Sequence, residues 1–344
     1  LNGIRRILIT ILVAMGVGAL FIIAIGENPI DAYAALFRGA FDGKLRLGTT
    51  LAGFTPLLLT SIAFAVAAKA GAFNVGVEGE VFLGGITAAY IGINWTFLPK
   101  PALYVACFVG AMVVAAAWAF IPAILRAYYN VNEVCTTILM NTVALYITSY
   151  LVSGPMSAGT ANAQSLPVTV RLYQFMKPSS VNVGIFIAAI TVIVIIFMLQ
   201  KSSWGYKIRT VGLNPTHADY VGIDSKKVFV GAMMLSGMLG GMAGCIEVLG
   251  VHGYFLNNFA TGLGSNGMLA ALIVKNNMVS TPFMAFFLAV LKSGAMGMQQ
   301  STGVPKSLVD TITAVFIIIA TMETAFQFTK KRKKKTEGKK EDKA

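Results

Sequence analysis

Only 12% of the 344 residues are charged, and the chain holds two histidines and three cysteines. Each scarcity removes a class of chemistry. Cys107, Cys135 and Cys245 lie far apart in apolar surroundings without metal-ligand spacing, so they read as small buried hydrophobes. His217 and His252 are isolated, and neither His-Glu-x-x-His nor Gly-x-Ser-x-Gly occurs. With no carboxylates at metal-binding spacing in a polar loop either, no catalytic residue, metal site or bound cofactor is expected. A Gly-x-x-x-x-Gly-Lys-Ser/Thr phosphate loop is also missing, so the chain does not bind and hydrolyse ATP in the usual way.

What is plentiful is apolar. Hydrophobic residues make up 56% of the chain, and the mean hydropathy is +0.73, which a soluble domain of this length does not reach. The net charge of +13 is no nucleic-acid footprint, because nine of the 27 basic residues crowd between Lys330 and Lys343 and the others are scattered. Such a juxtamembrane cluster gains about 1 kcal/mol per charge beside an anionic leaflet, which makes it a membrane-surface feature.

Runs of bilayer length predict an all-α polytopic membrane protein with about ten crossings, near 7–25, 49–68, 75–94, 102–124, 134–153, 183–200, 228–250, 264–279, 281–299 and 305–326. Residues 1–326 form the transmembrane domain in this reading, and 327–344 a basic tail. Arg5-Arg6 before the first run imitates a signal peptide, but the apolar stretch is long for one and reads as a span. The excess of Lys and Arg in the tail and in the 201–227 loop places both termini in the cytoplasm. Residues 27–48 then form an external amphipathic stretch, and 153–183 a polar external loop with Pro155, Pro167 and Pro178.

The 201–227 loop is the longest polar interruption between two strongly apolar spans. Asn214-Pro215 has the form of a helix start, Asn capping and Pro at the first helical position, and Gly222 can end the helix so begun. A short helix over 215–221 is predicted there, with Ala218 and Asp219 inside it. A compact helix in a connector is either a docking element or an ordered linker.

Two glycine-centred interruptions stand in corresponding places in the two halves: Gly71 to Gly85, with Gly76 and Gly79, and Thr261 to Ala270, with Gly264 and Gly267. In the ten-span topology they approach the membrane from opposite faces, the pattern of an inverted repeat with broken helices beside a central pathway. The other reading is close helix packing at small residues. Asn74 can cap a helix starting at Val75, which puts Glu78 in its first turn, either as a structural carboxylate or in contact with substrate. Thr137 and Asn141 share a face at i and i+4 in an apolar span, facing either a wet pathway or another helix. Glu247 and Lys292 are ionisable residues in apolar surroundings.

Two of these stretches carry a family resemblance. Arg209-Thr-Val-Gly-Leu-Asn-Pro-Thr-His-Ala-Asp-Tyr-Val-Gly-Ile223 resembles the cytoplasmic coupling segment of the permease subunits of bacterial ATP-binding-cassette importers of the ribose and nucleoside type, with Val221 where a small residue is usual. Asn74-Val-Gly-Val-Glu-Gly-Glu80 is similar to the Asn-Val-Gly-x-Glu-Gly-Gln signature of their nucleoside and simple-sugar branch, with Glu80 in place of Gln. Val131 to Asn141, with Glu133, Val134 and Ile138, resembles a further Val-x-Glu-Val-x-x-x-Ile-x-x-Asn run of the family, and the likeness covers roughly residues 50–325.

The resemblance implies a bacterial inner-membrane permease for nucleosides, with simple sugars as the alternative. It implies a partner ATPase that uses ATP and Mg and seats Asn214, Pro215, Ala218, Asp219 and Gly222. A second permease forming a heterodimer and an external substrate-binding lipoprotein complete the expected system. Asn74, Glu78, Thr137, Asn141 and Glu247 are then the pathway candidates. The rival from another class is an ion-coupled secondary carrier working alone, which a protonatable Glu247 would suit.

Overall fold

A computed structural model describes residues 15–24 and 26–302, together with Ser307, Asp310, Thr311 and Ala314. Among the described residues the regular elements are all helices. In chain order they are α1 (Met15–Ala24), α2 (Pro29–Phe41), α3 (Gly43–Lys69), α4 (Val77–Asn94), α5 (Lys100–Tyr129), α6 (Glu133–Ser153), α7 (Gly184–Lys201), α8 (Ser203–Leu213), α9 (Pro215–Tyr220), α10 (Ser225–Ile246, continued as a π-helix over Glu247–His252), α11 (Leu263–Ile273) and α12 (Thr281–Thr302).

Six of these are long and apolar enough to cross a membrane: α3, α5, α6, α7, α10 with its π-turn, and α12. The bent pair α1 and α2 makes a seventh if it counts as one span. The expected ten are therefore not reached among the described residues. The eighth crossing, expected at 264–279, is corrected outright: α11 has 11 residues, roughly 16 Å of helix against a hydrocarbon core of about 30 Å. Lys275 and Asn276 follow it with φ of 56° and 55°, left-handed conformations that no helix continues through. The third expected crossing, 75–94, falls on α4, which is not among the six: its first turn carries Glu78 and Glu80, and it is sheathed by α5, α6 and α10. The start of the first run, most of the tenth, and the basic tail lie outside the described residues.

The chain divides into two compact units. In the smaller, formed by the terminal segments up to Asp42 and from Leu291, Gly39 of α2 lies against Gly294 and Gly297 of α12. Ile22, Ala32, Leu36, Ala295 and Met298 make its apolar centre.

The larger unit, Gly43–Val290, is organised around α10. Its glycines at 237, 240, 241 and 244 recur at helical spacing and split between two neighbours. Gly237 and Gly241 meet α5: a Cβ on Gly237 would stand 2.7 Å from both the Ala115 carbonyl oxygen and the Ala119 methyl. Gly240 and Gly244 meet α4, where a Cβ on Gly244 would stand 2.7 Å from the Gly85 backbone nitrogen. Bare backbone is what lets the three helices approach so closely, as small residues do between helices in lipid. The packing across the unit is reciprocal: α11 lies on α3, and α10 lies on α4.

A side chain on Gly241 cannot be accommodated by a rotamer change, because the obstructing atoms are the backbone of Ala111 and the Ala115 methyl, neither of which a rotamer moves. We expect Gly241→Leu to cost at least the 1–3 kcal/mol typical of overpacking. Little monodisperse permease should survive detergent extraction; a variant eluting on size exclusion like the parent protein would contradict this packing.

The polar segment 154–183 is sewn to the far end of α10 by main-chain hydrogen bonds. Ser165 N donates to Phe255 O, Val168 N to Gly253 O and Leu172 N to Leu249 O, each at 2.9 Å. Gln174 Nε2 donates to Gly250 O at 2.9 Å. Carbonyls of the π-turn and of the residues just after it are thus satisfied from outside the helix.

Candidate functional site: two broken helices meeting at Glu78

The first break, 70–76, opens at the end of the larger unit where Gly71, with φ +80°, faces Gly212 of α8. The second, 253–262, opens at the opposite end, where Arg171 Nη2 donates to the His252 carbonyl at 2.6 Å. The two come together at one carboxylate. Glu78 Oε1 accepts the backbone N–H of Gly262 and Oε2 accepts the hydroxyl of Ser265, both at 3.0 Å.

Gly262, with φ +80°, is the N-cap of α11, so Glu78 lies in the first turn of one half-helix and across the start of the other. Unpaired N–H groups at both helix starts favour a negative charge between them. The approach is close: a Cβ on Gly264 would stand 2.6 Å from Glu78 N, and one on Gly267 2.7 Å from the Thr60 carbonyl carbon. Thr60 Oγ1 donates to Leu263 O at 3.2 Å.

The opening of α4 is held from two further sides. Asn141 Oδ1 accepts from Gly79 N at 2.8 Å and its Nδ2 donates to Val75 O at 2.9 Å, so both ends of its amide clamp α6 onto the break. Thr137 is buried on the same face; its hydroxyl donates to Glu133 O at 2.7 Å. A Cβ on Gly76 would stand 3.3 Å from the Thr137 Cβ, and one on Gly79 3.0 Å from the Ala144 methyl. The four glycines of the two breaks are thus all places of tight packing.

On the other side, Asn74 Nδ2 donates at 2.9 Å to both Glu80 Oε1 and Ser236 Oγ of α10. The expectation that Asn74 caps a helix at Val75 is corrected: α4 starts at Val77 with Gly76 as N-cap, and Asn74 Oδ1 accepts from Gly76 N at 2.9 Å inside the break. Thr60, Ser236 and Ser265 were not singled out from sequence. Thr60 and Ser236 sit in long apolar stretches and Ser265 in the glycine-rich stretch from Thr261 to Ala270, and only the fold shows what they face.

Glu247 belongs to the π-turn, and its Oε2 lies 3.6 Å from His252 Nε2. His252 is therefore not isolated. Its ring also meets Phe259 edge-on at 5.8 Å, and Phe259 packs on Phe82 of α4 at 5.6 Å.

At the end where the first break opens, the polar connector folds as two helices rather than one. Ser202 caps α8 by accepting from Gly205 N at 3.0 Å, and the Arg209 guanidinium returns to the Leu199 carbonyl. Asn214 caps α9 by accepting from His217 N at 3.1 Å. Gly222, with φ +80°, turns the chain out of it. Ala218 is fully buried, and Asp219 reaches over to Ser225, accepting from its N–H at 3.0 Å and its hydroxyl at 2.9 Å. Asp224 caps α10 through Lys227 N at 3.0 Å, a bond that holds its carboxyl below the usual carboxylate range. Leu213, Tyr220 and Val221 stay exposed, at 88%, 86% and 55%.

A multi-pass helical membrane protein with two half-helices meeting inside it, and with an ordered helical connector at one end, has the build of a transport subunit. The chain belongs to the family described as branched-chain amino acid transport system / permease component, whose model matches residues 46–321. It is 33% identical to the guanosine ABC transporter permease protein NupP of Bacillus subtilis over 95% of this chain and 96% of that one. It is 31% identical to the nucleoside ABC transporter permease protein NupB of Lactococcus lactis over 92% and 91% of the two chains. With the glucose ABC transporter permease protein TsgB13 of Haloferax volcanii it shares 32% identity over 90% of this chain and 85% of that one.

Proposed function

We propose that this chain is a permease subunit of an ATP-driven nucleoside importer in a bacterial inner membrane, with the α8–α9 end in the cytoplasm. The observation that carries the reading is α9: a six-residue helix, too short to be stable by itself, fixed by Asn214 at one end and by Asp219 on Ser225 at the other. Such a knob, with Tyr220 and Val221 bare beside it, fits a cleft of a separate ATPase. Closure of that ATPase moves α9, and with it α8 and the start of α10. The motion then reaches Ser236 and, through Asn74, the opening of α4.

A second permease partner is supported by the paired relatives: NupQ of Bacillus subtilis and NupC of Lactococcus lactis also match this chain, at 23% and 24% identity. An external binding protein would dock at the opposite end, on segment 154–183. Glu78 and Asn141, with their polar groups engaged by protein, shape the pathway in the state seen here, and their bonds are what substrate passage has to rearrange. The likeness to the Haloferax glucose permease favours simple sugars as the second reading.

Reconstitution tests both. Proteoliposomes holding this permease, its partner permease, the ATPase and the binding protein should take up guanosine only when ATP is inside the ATPase-facing compartment. Uptake of glucose instead would select the sugar reading. Uptake by this chain alone, driven by a proton or sodium gradient, would replace both with a secondary carrier.

A further inference from the structure

We infer that the corner between α5 and α6 is a second seat for the ATPase, beside α9; the inference rests on the function proposed above. The corner is tight and self-satisfied. Asn130 ends α5 in the left-handed region, φ 55°, and Val131 N returns to Leu125 O at 3.1 Å. Arg126 donates from Nη1 to Asn130 Oδ1 at 3.0 Å and pairs through Nε with Glu133 Oε2 at 3.1 Å. Asn132 caps α6 through Val134 N at 2.9 Å.

With those polar groups bonded to one another, the large hydrophobic side chains the corner presents are Tyr129, 71% exposed, Tyr128, 50%, and Val131, 39%. An aromatic and an aliphatic side chain held out on a rigid turn between Arg126, Asn130, Asn132 and Glu133 are not in hydrocarbon. Rigid exposed tyrosines of this kind are the residues that anchor protein interfaces.

The occupant is set by continuity with α9. Lys226, in the first turn of α10 and next to the Ser225 that Asp219 grips, lies over the Tyr128 ring with Nζ 5.2 Å from its centre. The corner and α9 therefore share one end of the larger unit, joined through the start of α10. A body large enough to cover Tyr220 and Val221 meets Tyr129 as well.

The second seat has a mechanical consequence. Pressure on α9 acts on α8 and α10, whereas pressure on the corner acts directly on α6, whose Asn141 grips Val75 and Gly79. One motor touching both can move the two sides of the first break independently.

The test uses the complete reconstituted transporter with p-benzoylphenylalanine placed at 129 or, separately, at 220. Illumination should give, at both positions, a covalent adduct with the mass of permease plus ATPase subunit. An ATPase adduct at 220 with only lipid adducts, or none, at 129 overturns the second seat and leaves docking at α9 standing. No ATPase adduct at either position overturns both. Tyr129→Ala should lower the ATPase retained on the permease about ten-fold, a typical loss for an interfacial aromatic. Tyr129→Phe should stay within about two-fold, and neither should change the thermal unfolding of the isolated permease, since the side chain is 71% exposed. Unchanged retention in Tyr129→Ala overturns the inference.

Discussion

Asp219→Lys is expected to reduce ATP-driven uptake to background while leaving the permease folded in the membrane. Asp219 is exposed, and its carboxylate accepts two hydrogen bonds from Ser225 that tie α9 to the start of α10. The replacement removes both and adds a third cation next to Lys226 and Lys227, so α9 loses the bond that sets its angle. Exposed hydrogen bonds and charges contribute little to global stability, on the order of 1 kcal/mol or less, which is why the chain should still fold. Interface geometry is less forgiving. A knob displaced from its cleft transmits nothing, so a small local energy becomes a complete functional loss. Gly222→Trp should act in the same way by another route. Gly222 has φ +80° with nothing within 4 Å of where a Cβ would be, so the indole would be forced into a strained backbone and out into the space the ATPase fills. Uptake, with membrane abundance as control, is the measurement, and parent-level uptake in both variants would sink the docking assignment.

That α9 was legible in the sequence, to within a residue, has a local cause. Asn-Pro at one end and Gly at the other are chemistry that acts over three or four residues: the helix was expected over 215–221 and runs Pro215–Tyr220. The helix before it was missed because its polar residues dominated the reading, although Gly205, Ile208 and Val211, all buried, lie at helical spacing. Composition misled at α11, where an apolar run continues past the helix to Val274 and on from Met278, and the stop is made by Lys275-Asn276-Asn277. Glu247 and His252 stand five apart, a spacing that does not bring side chains together on an α-helix and does so on the π-turn. Glu78 shows where sequence reading ends. Its place in the first turn of α4 was visible, but its partners Gly262 and Ser265 lie 184 and 187 residues away. The two breaks could be matched as a pair from their glycines; that one carboxylate joins them could not.

The second large effect is expected at the buried polar cluster behind that carboxylate. Asn74 is 1% exposed and serves Glu80 and Ser236 through a single nitrogen, while Glu80 Oε2 has no hydrogen-bond partner among the described residues. Asn74→Asp exchanges the donor for a second acceptor 2.9 Å from the first. Ser236 can turn its hydroxyl to compensate; Glu80 cannot compensate without taking a proton, because two carboxylates at that distance do not both ionise. Burying the additional carboxylate and forcing one of the pair to hold a proton costs on the order of several kcal/mol, a large share of the ~5–15 kcal/mol that holds a typical fold. We therefore expect Asn74→Asp to unfold or to melt many degrees lower in detergent. Glu80→Gln alone should be close to neutral, since its carbonyl still accepts from Asn74. Combined with Asn74→Asp it should recover most of the loss, because the new amide can donate to the introduced carboxylate and the bond simply reverses direction. A double-mutant cycle on the melting free energies should return a coupling of about 1–3 kcal/mol in favour of the pair. Strict additivity would mean that Asn74 and Glu80 do not depend on each other, and that α4 is held at its opening by Asn141 and Glu78 alone.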